Sequence, residues 1–183
     1  MIDELYELYK DKGITKVVGI ESRGFILGGA LAARLGAGFI MARKPGKLPA
    51  EVIEETYAKE YGTDTIQLHK DAISKDDVVL LHDDLLATGG TMAAAYRLVK
   101  RCGVEKAYVN FVIELKGLNG RNAFEKGRRG HYPFRTITRE ESPTKRGKLY
   151  AAFFAGNLSS KKAVFTLTRT LRHGRNRKDK QHQ

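Results

Sequence analysis

The sequence predicts an α/β protein: a parallel sheet with helices on both faces. Three observations point there. Short apolar runs recur along the first two thirds of the chain, helix-spaced segments separate them, and the central run ends in two adjacent acids before a glycine-rich turn. Strand followed by helix, repeated, is the pattern that buries both faces of a parallel sheet.

In chain order, Ile2, Leu5, Tyr6, Leu8 and Tyr9 give one apolar helical face within residues 1–13, and Gly13 suits its end. Lys16 to Ile20 is a short buried-type strand. Gly24 to Leu35 is a helix rich in small residues (Gly28, Gly29, Ala30, Ala32, Ala33), suited to close packing on a sheet. Gly36 and Gly38 break it, and Phe39 to Met41 is the next strand. Arg43 to Pro49 is a basic turn. Residues 52–68 alternate weakly around Tyr61-Gly62-Thr63-Asp64, which predicts a long hairpin. Asp77 to His82 is a third core strand, Gly90 to Arg101 a helix, and Lys106 to Ile113 a fourth strand. Beyond about Lys126 the periodicity is lost and the tail reads as largely irregular, with short strands at Ala151–Phe154 and Ala163–Leu167.

Of the 183 residues, 33 are Lys or Arg and 21 Asp or Glu, for a net charge of +12. The excess is not spread evenly. Residues 1–120 hold 16 basic against 17 acidic side chains, whereas residues 121–183 hold 17 against 4. The basicity therefore belongs to the tail and says nothing about the sheet-forming part. No apolar run approaches the roughly 18–20 residues of a membrane-spanning helix. Cys102 is the single cysteine, which leaves no internal disulfide and makes a reducing, cytoplasmic setting the default. No Cys/His cluster suggests a metal centre.

Val78 to Thr91 carries the strongest chemical signal. An apolar strand delivers Asp83 and Asp84 to its C-terminal edge, where open parallel sheets bind ligands. Ala87, Thr88, Gly89, Gly90 and Thr91 then turn into a helix. Gly89 and Gly90 let backbone approach an anion closely, and N–H groups at the helix start point toward it. Each such bond to a phosphate contributes about 1.5–3 kcal/mol, and the helix dipole about 0.3–1 kcal/mol. The two carboxylates would repel a phosphate, so they suit ribose hydroxyls or water on a magnesium ion. The competing reading is an acidic turn before an ordinary helix; the strand and paired acids in front favour a grip on a phosphorylated ribose.

Asp83-Asp-Leu-Leu-Ala-Thr-Gly-Gly-Thr91 resembles the signature of the type I phosphoribosyltransferases, in the form found among those that use adenine. Three further stretches match in order: Gly19-Ile-Glu-Ser-Arg-Gly-Phe25, Arg43-Lys-Pro-Gly-Lys-Leu-Pro49 and Glu60-Tyr-Gly62. The resemblance covers about residues 1–125 and implies a phosphoribosyltransferase core over residues 1–126. It implies that Glu21, Ser22 and Arg23 hold pyrophosphate, with a cis peptide in that turn, and that Arg23 and Phe25 contact the base. Arg43, Lys44 and Lys47 would neutralise the departing pyrophosphate. Glu60 and Tyr61, with Arg43, would be the catalytic residues of a flexible loop that closes over the reactants. The implied reaction moves a 5-phosphoribosyl group from its 1-pyrophosphate donor to adenine, giving AMP and pyrophosphate. Mg2+ would arrive with the donor, without a direct protein ligand, and the implied assembly is a homodimer. His82 departs from the family's usual apolar residue and reads as a packed neighbour of the acids.

Two departures qualify these expectations. Family members carry some forty or more residues ahead of the helix at residue 2, including much of the hood over the purine; one wall of the adenine pocket is expected to be absent here. Residues 127–183 are read as a divergent basic tail derived from a reading-frame shift. Two other readings stay open: a donor-sensing regulatory module whose tail binds nucleic acid, and an inactive fragment. The retained loop residues and the lack of a nucleic-acid motif argue against a nucleic-acid partner.

Overall fold

In the computed structural model the described residues are 1–59, 62–125 and 134–136, all within one compact unit spanning residues 1–140. Helix α1 (Ile2–Tyr9) leads into β1 (Lys16–Ile20), α2 (Gly24–Leu35) and β2 (Gly38–Ala42). The strands β3 (Val52–Ala58) and β4 (Thr63–His69) form a separate antiparallel hairpin. Then come β5 (Val79–Leu86), α3 (Gly90–Arg101), β6 (Ala107–Glu114), a 3-10 turn at Lys116–Leu118, α4 (Asn122–Glu125) and β7 (Phe134–Thr136). The main sheet runs β2-β1-β5-β6-β7, with every pairing parallel. Its strands therefore end along one edge.

Alternation within β1 and β5 divides the core. Val17 and Leu80 face α1 and α2, where they join Leu5, Tyr9, Leu31 and Ala32. Val18, Val79 and Leu81 face α3 and pack with Met92, Ala94, Ala95, Leu98 and Val99. Side chains of adjacent strand residues point to opposite faces, so two continuous apolar strands feed both layers. Within α2, Gly28 allows the approach: a Cβ there would lie 3.1 Å from the Phe39 ring and 3.5 Å from the His82 ring.

Three differences from the sequence-based expectations stand out. Strand β5 continues past His82 through both acids to Leu86, because residues 83–86 keep pairing with Phe111–Glu114 of β6. The helix at the start is shorter, ending at Tyr9. The sheet also extends beyond the boundary set at residue 126, since Phe134–Thr136 pairs with Val109–Phe111. Residues 126–133 and 137–183, which hold the two short strands expected there and all but three residues of the basic tail 127–183 read as a candidate nucleic-acid contact, lie outside the described residues. No helix among the described residues is long and apolar enough to cross a membrane.

Leu81 is wholly buried at the centre of the sheet. Leu81→Ala is expected to lower unfolding stability by about 2–5 kcal/mol, measured by urea denaturation; a loss under about 0.5 kcal/mol would contradict this placement of the core.

Candidate active site

Three chain turns meet at the C-terminal edge of β1, β2 and β5, and each carries one of the sequence motifs. The third of them, from β5 into α3, is built around backbone. Gly89 sits in the left-handed region at φ 79°, directly before the helix, with no side chain capping it. The first amide of α3 bonded within the protein is that of Ala93, which donates to the Gly89 carbonyl at 2.9 Å. The N–H groups of Thr88, Gly89, Gly90, Thr91 and Met92 have no acceptor among the described residues. A helix start with free donors is a ready anion site.

Segment 119–124 fixes the shape of this turn from outside. A Cβ on Gly89 would lie 2.3 Å from the Gly120 carbonyl oxygen, and one on Gly120 would lie 2.2 Å from the Ala87 carbonyl oxygen. Each glycine exists where the other's backbone passes. Gly120 carries no sequence signal of its own, because the contact spans more than thirty residues of chain; sequence reasoning missed it.

Both acids gather at the start of α2. Asp84 is 1 % exposed, and its Oδ2 lies 3.0 Å from Arg23 Nε. That contact is an ion pair not aligned as a hydrogen bond, and both Asp84 oxygens keep their acceptor capacity. A buried carboxylate in that state is poised for a hydroxyl or hydrated cation. Asp83 Oδ1 accepts the Asp84 N–H at 2.8 Å and lies over Gly24, where a Cβ would come within 3.3 Å. Burial, then the neighbouring Asp84 charge, pushes the Asp83 carboxyl up to about 8. His82 is buried beneath them, its Nδ1 2.8 Å from Asn110 Oδ1, and burial pushes its imidazole down. It is the packed neighbour expected.

The turn after β1 contains a cis peptide between Glu21 and Ser22, as the resemblance implies. The Glu21 amide donates to the Ala42 carbonyl at 2.9 Å. The Glu21 carboxylate organises the basic run. It accepts the Lys44 N–H at 2.9 Å, pairs with Lys47 Nζ, and lies 3.4 Å from Arg43 Nε. Burial alone would raise Glu21, but the bonds from Lys47, the Lys44 amide and Arg43 outweigh it and hold the acid down to about 2. Lys44 Nζ pairs with Asp64 and donates to the Tyr57 hydroxyl at 2.8 Å, while Lys59 also pairs with Asp64. Arg43, Lys44, Lys47 and Lys59 thus share two carboxylates, which leaves this group net positive. Phe25 packs edge-on against Phe39 with ring centroids 6.1 Å apart. Glu60 and Tyr61 lie outside the described residues.

The hairpin stem is tied to α3 by Arg97 and Arg101, which reach Glu55 at 2.6 and 3.1 Å. Tyr57 and Asp64, absent from the sequence-based candidates, join the hairpin to the site. Their only sequence signal is a weak strand alternation. No group of three or more His, Cys, Asp and Glu placed to hold a metal occurs among the described residues. A separate open cleft of about 300 Å³, lined by Ile53, Lys70, Ile73, Arg101 and Cys102, includes none of the residues above.

The phosphoribosyl transferase domain matches residues 1–124. The chain belongs to that family. It is 82 % identical over 124 residues to an adenine phosphoribosyltransferase of Phocaeicola vulgatus, covering 68 % of this chain and 71 % of that protein. Among solved structures of the family, that of the Giardia lamblia enzyme complexed with 9-deazaadenine superposes with a TM-score of 0.71 at 46 % identity. It covers 77 % of this chain and 78 % of its own. The Saccharomyces cerevisiae adenine phosphoribosyltransferase, complexed with an imino-altritol bisphosphate and adenine, gives 0.66 at 41 %, covering 75 % and 77 %. These phosphoribosyltransferase structures share the parallel sheet and flanking helices described above.

Two outcomes test the geometry. Gly120→Ala forces the turn at residues 87–91 to move, and if that turn takes a phosphate, ribose 5-phosphate affinity is expected to fall at least about tenfold by calorimetry, the loss of roughly one charge-assisted bond. Asp83 keeps its proton in the folded chain up to about pH 8, whereas an unfolded Asp loses it near 3.8. Its folded pKa is raised, so wild-type stability falls relative to Asp83→Asn as pH climbs from 3.8 to about 8, and levels off beyond. Paired thermal melts at pH 4 and pH 8 check the sign: the wild-type melting temperature minus that of Asp83→Asn is expected to be lower at pH 8, and a signed difference that is unchanged or higher there contradicts it.

Proposed function

We propose that this phosphoribosyltransferase family member transfers the 5-phosphoribosyl group from its 1-pyrophosphate donor to N9 of adenine, giving AMP and pyrophosphate in purine salvage. The observation that carries the reading is the row of unbonded amides at residues 88–92 beside the unsatisfied carboxylate of Asp84. Phosphate and sugar diol need that combination, and few other ligands do. The relatives named adenine phosphoribosyltransferase support the choice of base.

In this reading Thr88 to Thr91 hold the 5′-phosphate through backbone N–H and hydroxyl groups. Asp84 accepts from the ribose hydroxyls, with Asp83 beside it. Ser22 and the net-positive group around Arg43, Lys44 and Lys47 receive the pyrophosphate, and Glu21 orients those cations instead of touching the anion. Arg23 and Phe25 stand nearest the base, while Glu60 and Tyr61, which fall between β3 and β4 in the sequence, act as the catalytic pair. Positive charge builds on the ribose ring as its bond to pyrophosphate breaks, so orientation and fixed charge carry most of the acceleration.

A magnesium ion fits this arrangement as a companion of the donor: two acids, Asp83 holding its proton up to about pH 8 in the empty protein, are too few for an all-protein cage, but suit a largely hydrated ion bound to substrate phosphates. It would spread the charge of the departing pyrophosphate. A homodimer is the proposed assembly, supported by exposed Phe39 and Met41 on the edge strand β2 and by exposed Ile26 on α2. A cytoplasmic setting is supported by the single free Cys102.

The test is an assay of the full chain with donor, magnesium and each purine base in turn. AMP from adenine is expected; product from hypoxanthine or guanine alone would overturn the base, and none from any base would overturn the reaction. Asp84→Asn is expected to weaken donor binding about tenfold or more, and an unchanged isotherm would remove Asp84 from the sugar site.

A further inference from the structure

The hydroxyl of Tyr57 is saturated. Lys44 Nζ donates to it at 2.8 Å, Thr91 Oγ1 donates to it at 2.8 Å, and it donates its own proton to Asp64 Oδ2 at 3.3 Å. Proton inventory fixes the Lys44 and Asp64 directions, and in this structure Thr91 is the donor to Tyr57. An ammonium only donates and a carboxylate only accepts. With the tyrosine proton on Asp64, the Thr91 proton must point at Tyr57. The ring that carries the hydroxyl is buried against α3, where a Cβ on Gly90 would lie 3.3 Å from it.

Thr91 has one hydroxyl proton, and two acceptors have a claim on it. An anion in the turn at residues 88–91 would face the oxygen lone pairs of Thr91 as long as the proton stays on Tyr57. Gripping the anion with this hydroxyl requires the proton to leave. We propose that Tyr57 is a positioning residue that competes with the 5′-phosphate for the Thr91 proton, latching the hairpin to the phosphate turn when that turn is empty and releasing the latch when it fills. The inference rests on the reading of residues 88–91 as the 5′-phosphate site. It adds a link between the two anion regions, because the same hydroxyl also holds Lys44 of the basic run. Glu55 keeps the stem fixed further along α3 through Arg97 and Arg101, so the release acts locally, near Tyr57.

A residue that merely supports the fold weakens ligand binding when altered; a competitor strengthens it. Tyr57→Phe keeps the ring on Gly90 and removes only the hydroxyl. Titrating ribose 5-phosphate into the full chain, the variant is expected to bind about three- to tenfold more tightly than wild type, the worth of one hydrogen bond no longer lost. The same substitution should produce the gain in a Thr91→Ser background, which keeps a hydroxyl, and none in Thr91→Val, which has none. Unchanged or weaker binding by Tyr57→Phe, or an equal gain in Thr91→Val, overturns the competition. Failure of ribose 5-phosphate to bind wild type and variants alike overturns the phosphate site itself, and the inference with it.

Discussion

The site depends on how one strand hands over to one helix. Strand β5 is held in register by β1 as far as His82 and by β6 on its other side up to Leu86, and after three intervening residues α3 begins. Gly89, in a backbone region that glycine tolerates best, makes that turn short enough to leave a row of amides without acceptors. Helical bonding cannot satisfy the first N–H groups of a helix, and here no side chain caps them. The uncapped positive end of α3 is therefore the fixed point, and the acids, the Glu21 turn and the basic run are arranged about it.

Electrostatics accounts for the rest of the layout. Every strongly charged cluster at this edge is internally braced: Arg23 against Asp84, Arg43 and Lys47 against Glu21, Lys44 and Lys59 against Asp64. Pairing with these acids holds the long cationic side chains in place in the empty protein. The two kinds of acid differ in kind. Glu21 and Asp64 are held down by cations that donate to them, whereas burial beside Asp84 pushes Asp83 up. The first pair serves as counter-ions; the second is where a ligand gains most by bringing hydroxyls or a cation.

Much of this was legible in the chain itself. The strands and helices through residue 114, the ligand-binding edge and the Asp83–Thr91 turn follow from apolar periodicity and glycine placement, which are local signals. What escaped is long-range. Strand β5 runs through two aspartates because β6 pairs with them, and pairing overrides the poor strand preference of that residue type. The Glu21 amide meets Ala42 on the neighbouring strand, a contact that only the sheet register creates. Gly120 and Tyr57 matter through backbone and hydroxyl contacts with a turn some thirty residues away, and neither sits in a motif.

The central claim is that the amides at residues 88–92 are free in the empty protein and close on an anion. Amide NMR during titration with inorganic phosphate tests it most directly. The account expects saturable downfield shifts concentrated at Gly89, Gly90 and Thr91, with the buried amides of Leu80 and Leu81 in the middle of β5 unmoved. Resonances at 89–91 that stay still at saturating phosphate, or shift no more than those strand amides, would contradict it.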